Sequence, residues 1–349
     1  MTLEKADLKG MDSREMETWV RELGLETYRA RQIRQWLFQK QVSSFKEMTN
    51  LSKAVRELLE EKARIHHLEQ EEVQVSRDGT RKFLFRLEDG RFIESVLIPE
   101  RDHATLCISS QVGCAMGCRF CVTAKQGFKR NMTPAEIVDQ VIQVRRTMED
   151  PGRLRNIVLM GMGEPLANYR AVIRALGNIV AEDGMNFSHR KVTLSTCGLV
   201  PRMADLGRDA AVNLAVSLNA ADEETRSYLM PVNRTYPLSD LIRACREFPL
   251  PNRRMITFEY ILIQGVNDRD RDALRLVRLL NGIRAKVNLI PLNPHPALDL
   301  QPSPMERILG FQKILIENHF TAIIRKSKGQ DISAACGQLS GARSKGYAA

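Results

Sequence analysis

Hydrophobic and polar positions follow two different periods along this chain, and the switches between them mark its elements. Up to about residue 62 the spacing is helical. Met16, Trp19, Val20 and Leu23 recur on one face, Asp12 or Ser13 can cap that helix, and Gly24 ends it. Thr27 can cap a second helix, in which Ile33, Trp36 and Leu37 share a face while Arg29, Arg31 and Arg34 stay on the polar side. A third begins near Leu51-Ser52 and uses Val55, Leu58 and Leu59. From Val73 the period becomes two. Val73 and Val75, then Phe83, Phe85 and Leu87, then Phe92, Glu94, Val96 and Ile98 form three runs, separated by Asp78-Gly79 and Asp89-Gly90. Asp-Gly marks a hairpin turn because the central residues of such turns need positive φ. Glu94 shares a strand face with apolar residues. It is either on a misread solvent side or a buried carboxyl with a raised pKa.

Beyond residue 104 the two periods alternate. Strands are expected at Thr105-Ser109, Asn156-Met160, Lys191-Thr196, Asn213-Leu218, Phe258-Ile263 and Lys286-Pro291. Helices are expected between and after them at Pro134-Arg146, Tyr169-Ala181, Val200-Gly207, Leu238-Phe248, Asp270-Asn281 and Ser303-Asn318. Six β-α repeats joined by right-handed crossovers predict an α/β fold with a parallel sheet, curved as a partial (βα)6 barrel. The divisions that follow are a helical accessory unit (1–62), a β-meander or hairpin extension (63–103), the barrel (104–325) and a tail (326–349). In barrels of this kind the chemistry sits at the C-terminal strand ends.

Composition narrows the class. The 349 residues are 43% hydrophobic, enough for a substantial core, and no apolar run approaches a membrane span. The N-terminus lacks a signal peptide's apolar stretch, so a cytoplasmic protein without membrane attachment is expected. Lys and Arg number 52 against 42 Asp and Glu, a net charge of +10 that is compatible with a polyanionic partner. The basic second helix reads equally as an RNA-docking face or as a solvated face of a packing cap. Seven cysteines, an odd number and partly clustered, argue for metal or catalytic use over a disulfide framework.

Three of those cysteines carry the sharpest signal. Cys114, Cys118 and Cys121 are spaced C-x3-C-x2-C directly after the first barrel strand, with no fourth cysteine nearby in sequence. A structural zinc site takes four protein ligands, and a four-iron cluster is ordinarily tied by four thiolates. Three thiolates therefore leave one iron free, although core cysteines or a partial zinc site are the bland alternatives. After the second strand comes Gly161-Met162-Gly163-Glu164-Pro165-Leu166, glycines for close backbone approach and a carboxylate beside them. Ser195, Ser217-Leu218-Asn219 and Asn293 end strands three, four and six, each a turn residue or one of a ring of ligand donors. Cys107, inside the first strand, reads as a small core residue. Cys336, beyond the basic Arg325-Lys326-Ser327-Lys328, reads as a reactive thiol because nearby cations favour thiolate. Cys197 and Cys245 read as structural.

Taken together, Cys107 to Cys121, Gln126-Gly127-Phe128, Arg130-Asn131, the Gly161–Leu166 loop and Ala334-Ala335-Cys336-Gly337-Gln338-Leu339 resemble the RlmN/Cfr family of radical S-adenosylmethionine (SAM) RNA methyltransferases, nearly end to end. The resemblance implies a radical SAM barrel holding one [4Fe-4S] cluster on Cys114, Cys118 and Cys121, with SAM on the fourth iron. It implies cofactor contacts from Gly163, Glu164, Ser195, Ser217, Leu218, Asn219 and Asn293. The family commonly has His at Asn219, whose amide can still donate and accept.

The implied reaction, on the RlmN branch, is methylation at C2 of an adenosine in 23S rRNA at the peptidyl transferase centre, and of the adenosine beside the tRNA anticodon. One SAM methylates Cys336, and a second is cleaved to a radical that takes a hydrogen from that methyl. The carbon radical then adds to the base. Release needs Glu94 as proton acceptor and Cys107 as resolving thiol, which closes a transient disulfide with Cys336. A monomer is expected, served by a flavodoxin- or ferredoxin-type electron donor. A Cfr-like C8 methyltransferase and a non-catalytic iron–sulfur or zinc RNA-binding protein are the other readings.

Overall fold

The computed structural model describes residues 5–341. Of the sequence-derived divisions, positions 1–4 of the helical unit and 342–349 of the tail lie outside the described residues. Asp12 caps α1 (Ser13–Glu22) through a capping box with Glu15, α2 (Tyr28–Arg34) runs on into a π-helical turn, and Ser52 caps α3 (Lys53–Lys62). Ala6–Asp7 and Ala63–Arg64 pair in parallel and close this unit at its base.

One ten-stranded sheet organises the rest of the described residues. Strands β1 (Glu69–Val75), β2 (Arg81–Arg86) and β3 (Phe92–Pro99) form the antiparallel meander, and β3 pairs antiparallel with β4 (Ala104–Cys107). From β4 onward all pairing is parallel, through β5 (Leu154–Leu159), β6 (Val192–Thr196), β7 (Asn213–Ser217), β8 (Ile256–Leu262), β9 (Ala285–Pro291) and β10 (Thr321–Ile324). Each crossover contains a long helix: α4 (Pro134–Arg146), α5 (Tyr169–Val180), α6 (Val200–Asp209), α7 (Leu238–Glu247), α8 (Asp270–Leu280) and α9 (Met305–Glu317). This is the expected α/β partial barrel with its six β-α units, and a seventh parallel strand is added at the far edge. That strand escapes the sequence pattern because it has only four residues, and two of them, Thr321 and Ile323, are exposed. The first barrel strand also ends at Cys107, earlier than the expected Ser109. There the chain leaves the ladder, and Ser109 Oγ accepts from the Met162 N–H.

The helical unit is not a loosely attached cap. Arg34, expected on a polar face, is 1% exposed, and its guanidinium grips Asp183 at 2.8 and 3.2 Å, Asn178 Oδ1 at 2.9 Å and the Met11 carbonyl at 3.2 Å. The physical reason is that its polar side meets the barrel rather than water. Lys9 is likewise buried and donates to Asp139 of α4 at 2.5 Å.

Candidate functional site

The C-terminal ends of the parallel strands open into a cavity of about 140 Å³. Its lining includes Cys114, Cys118 and Cys121 from the loop after β4, Gly161, Gly163 and Glu164 after β5, Ser195 on β6, Ser217 and Asn219 at the end of β7, and Cys336 from the tail. Residues separated by more than two hundred positions thus share one small space. A wider cleft of about 620 Å³ lies between α1 and the start of α4, but mixed charges and Trp19 line it and no cysteine does.

The Gly161–Glu164 loop is held by contact with the chain just after β4. A Cβ on Gly161 would stand 2.7 Å from the Ile108 carbonyl oxygen, and one on Gly163 (φ +99°) would stand 2.5 Å from Gln111 Cβ. Only glycine lets the two loops approach so closely. Glu164 is buried. Its Oε2 accepts from the Cys197 N–H at 2.8 Å and its Oε1 from the Leu166 N–H at 3.0 Å, while its own N–H donates to Gln111 Oε1 at 2.8 Å. Burial raises its pKa, and these hydrogen bonds oppose the shift.

The three loop cysteines fit a cluster by the chemistry of their donor set. Burial pushes the Cys114 thiol up to about 12 and raises Cys118 and Cys121. Such thiols become thiolates only beside a compensating cation, and a coordinating metal deprotonates them outright. Among the described residues no group of three or more His, Cys, Asp or Glu could hold a single metal ion. Zinc draws its thiolates in to about 2.3 Å, whereas a cluster distributes its ligands over several irons. A fifth thiol, Cys197, read from the sequence as structural, also lines the cavity, and it hydrogen-bonds Glu164. Its signal was only its position one residue beyond the end of β6.

Cys336 faces the cavity and is exposed, whereas Cys107 is buried at the end of β4. Each thiol lies within the field of the other or of Glu259, a second cavity carboxyl on β8. The expected cationic activation of Cys336 is not what its surroundings do. Atoms packed around it push the thiol up to about 11, Glu259 adds to the shift, and Arg325 opposes it only in part. Burial raises Cys107. The described residues include all seven cysteines, and all are free thiols, so the Cys107–Cys336 disulfide is not present. Closing it would require removing two protons and two electrons from thiols whose surroundings hold the protons.

Glu94 is a buried carboxyl, not a solvent-side residue. Its face is less apolar than the strand pattern suggests, for Lys82 Nζ stands 3.1 Å from Oε1, and the N–H groups of Ser340 and Gly341 donate to Oε2 at 2.6 and 2.8 Å. Asn219 (φ +59°) uses Oδ1 to accept from the Ile261 N–H at 2.8 Å, and its Nδ2 meets Met230 Sδ. Asn293 spends its amide on the tail, donating to the Cys336 carbonyl at 3.1 Å and accepting from Gln330 at 2.9 Å. Leu218 is fully buried and anchors β7 to β8 through its N–H. Leu218 and Asn293 therefore support the site's walls, whereas Gly163, Glu164, Ser195, Ser217 and Asn219 border its open space.

Residues 108–277 match the Radical SAM superfamily, and residues 6–65 match the ribosomal RNA large subunit methyltransferase N-terminal domain. The chain is 53% identical over 341 residues to the dual-specificity RNA methyltransferase RlmN of Syntrophus aciditrophicus, covering 98% of each chain. It is 56% identical over 335 residues to the RlmN of Geobacter sulfurreducens, covering 96% of this chain and 92% of that one. The crystal structure of a radical SAM methyltransferase from Sphaerobacter thermophilus superposes with a TM-score of 0.91 at 45% identity, covering 97% of this chain and all of the other.

Proposed function

The chain belongs to the RlmN family of radical SAM enzymes, and from that premise we propose that it methylates RNA at adenine C2. Its substrates in this reading are 23S rRNA, at the peptidyl transferase centre, and tRNA, at the adenosine beside the anticodon. The observation that carries the reading is the single cavity shared by Cys114, Cys118, Cys121, Glu164 and the tail thiol Cys336. Residues 1–62 dock RNA and brace the barrel, 63–103 supply the base, 104–325 hold the cofactors, and 326–349 carry the methyl group.

Cys114, Cys118 and Cys121 hold a [4Fe-4S] cluster, and Glu164 with the Gly163 backbone receives the amino group of SAM. When bound, these groups supply one-electron chemistry and the methyl carbon. The chain's own part begins at Cys336 Sγ, which accepts the methyl group and carries it to the base. Adenine C2 is too electron-poor for polar alkylation, so the carrier must be joined covalently to the RNA and then released. Glu94 takes the C2 proton; Cys107 gives up its thiol proton and bonds to the Cys336 sulfur as the sulfur–carbon bond breaks, its electron pair going to the methylene carbon, which takes up a proton to become the methyl group. A flavodoxin- or ferredoxin-type donor supplies the electrons, and the disulfide is reduced before the next turnover. The adenine leaves its stack to enter.

The test is Cys107→Ala expressed in cells, where protein joined to RNA through Cys336 should accumulate. RNA released normally by that variant would remove Cys107 from the reaction. Nucleoside mass spectrometry of the wild-type product should give 2-methyladenosine. 8-Methyladenosine would instead place the chain with the Cfr-like enzymes, and a colourless, zinc-bearing protein inert toward SAM would exclude catalysis.

A further inference from the structure

The inner face of the meander carries a cation that this reaction leaves without a task. Lys82 on β2 is in register with Val96 on β3, and Val96 is in register with Cys107 on β4. Glu94 lies two residues from Val96 on the same strand, so Lys82, Glu94 and Cys107 all project from one face of the sheet. The Lys82 ammonium is 3.1 Å from Glu94 Oε1, with only 9% and 1% of the two side chains exposed. It also donates to the Ser333 carbonyl at 3.5 Å, three residues before Cys336. Oε2 of Glu94 is occupied by the Ser340 and Gly341 N–H groups. The carboxylate therefore has partners of two kinds, one rooted in the strand ladder and two in the tail.

We propose that Lys82 is the positioning residue for C2 deprotonation, holding Glu94 aimed at the inner face while the tail amides withdraw. This rests on the reading of Glu94 as the proton acceptor. An oxygen capped by two amides has no room for a carbon-bound proton, so Ser340 and Gly341 must release it before the base can approach. At that moment a carboxylate without a second partner would be free to turn away from the inner face. Lys82 prevents this because β2 is paired on both sides, to β1 and to β3, and stays in place when the tail moves. In the step itself the C2–H bond breaks, its electron pair remains on the ring, and the proton goes to Glu94. The ammonium keeps its charge throughout. Through Ser333 the same ammonium also ties the methyl-bearing segment to the base.

The experiment expresses full-length Lys82→Met, Lys82→Arg and Glu94→Gln variants in cells. On the soluble fraction it reads Cys336 methylation, protein crosslinked to RNA, and methylated RNA. Ratios within the soluble fraction cancel losses from misfolding. Lys82→Met should keep Cys336 methylated at the wild-type fraction, accumulate crosslink as Glu94→Gln does, and release about tenfold less methylated RNA or lower still. Lys82→Arg should restore release. Normal release by Lys82→Met, or parallel loss of Cys336 methylation and RNA product, would overturn the positioning role while leaving Glu94 in place. Normal release by Glu94→Gln would overturn the base assignment itself, and Lys82 with it.

Discussion

Atoms packed around Cys336 work against its thiolate even though the residue is exposed to solvent. An ordinary cysteine thiol has a pKa near 9.0, and Cys336 is pushed up to about 11, so the folded protein holds less thiolate than an unfolded chain. Folding therefore favours the protonated thiol. The stability this contributes is complete below pH 9 and is lost as pH rises from 9 toward 11. Iodoacetamide labelling of Cys336 in ligand-free protein, followed by peptide mass spectrometry, should run slower at pH 8 than for an unfolded control. An equal rate would mean that the cavity does not restrain the thiol. Cys336→Ala should retain iron and SAM binding yet produce no methylated RNA, and residual product would require another methyl carrier. The sequence places Cys336 beside a basic run, but neighbours along a chain are not neighbours in space. Arg325 alone of that run weighs on the thiol, and Glu259, 77 positions upstream, opposes it.

Elements show the same division between what a pattern reveals and what it conceals. The alternation of β and α segments was legible because the strands from β4 to β9 are largely buried and each helix keeps one apolar stripe. The polar side of a helix is legible too, but not what lies against it. Lys9 and Arg34 look like solvent residues by sequence, yet both are buried against the barrel helices and the loop after them. Asp139 also accepts from the Leu68 N–H at 2.6 Å, so Lys9→Met would strand a charge with one strong partner gone. Removing one member of such a pair costs about 3–5 kcal/mol. Urea unfolding of Lys9→Met should show a loss of that size, and Lys9→Met/Asp139→Leu should lose less than the sum of the single variants. Additive losses would mean that the pair is not coupled.

At the scale of the whole molecule, the tail closes the barrel. Asp78 accepts from the Gly329 N–H at 3.0 Å, and Ser76 donates to Asp331 at 2.6 Å. Past Cys336, the Gly337 carbonyl accepts from the Val122 N–H at 2.7 Å, and the Leu339 carbonyl accepts from Thr123 Oγ1 at 2.7 Å. The Ser340 and Gly341 amides then reach Glu94. The strap is thus fastened on both sides of its thiol. The cavity under the strap, about 140 Å³, is well below the roughly 300–1,000 Å³ of ordinary ligand pockets. An adenine drawn from its stack cannot share that space with a cofactor while the strap is fastened. The upstream fastening joins rigid turns at Ser76–Asp78, whereas the downstream one ends on a single carboxylate oxygen, so opening should begin at Ser340 and Gly341. Hydrogen exchange of residues 337–341 should therefore quicken when substrate RNA is added, while residues 329–331 stay protected. Unchanged exchange at Ser340 and Gly341 would mean that the RNA base reaches Cys336 by a route that leaves the Glu94 contact intact, and that Glu94 keeps its tail partners through turnover.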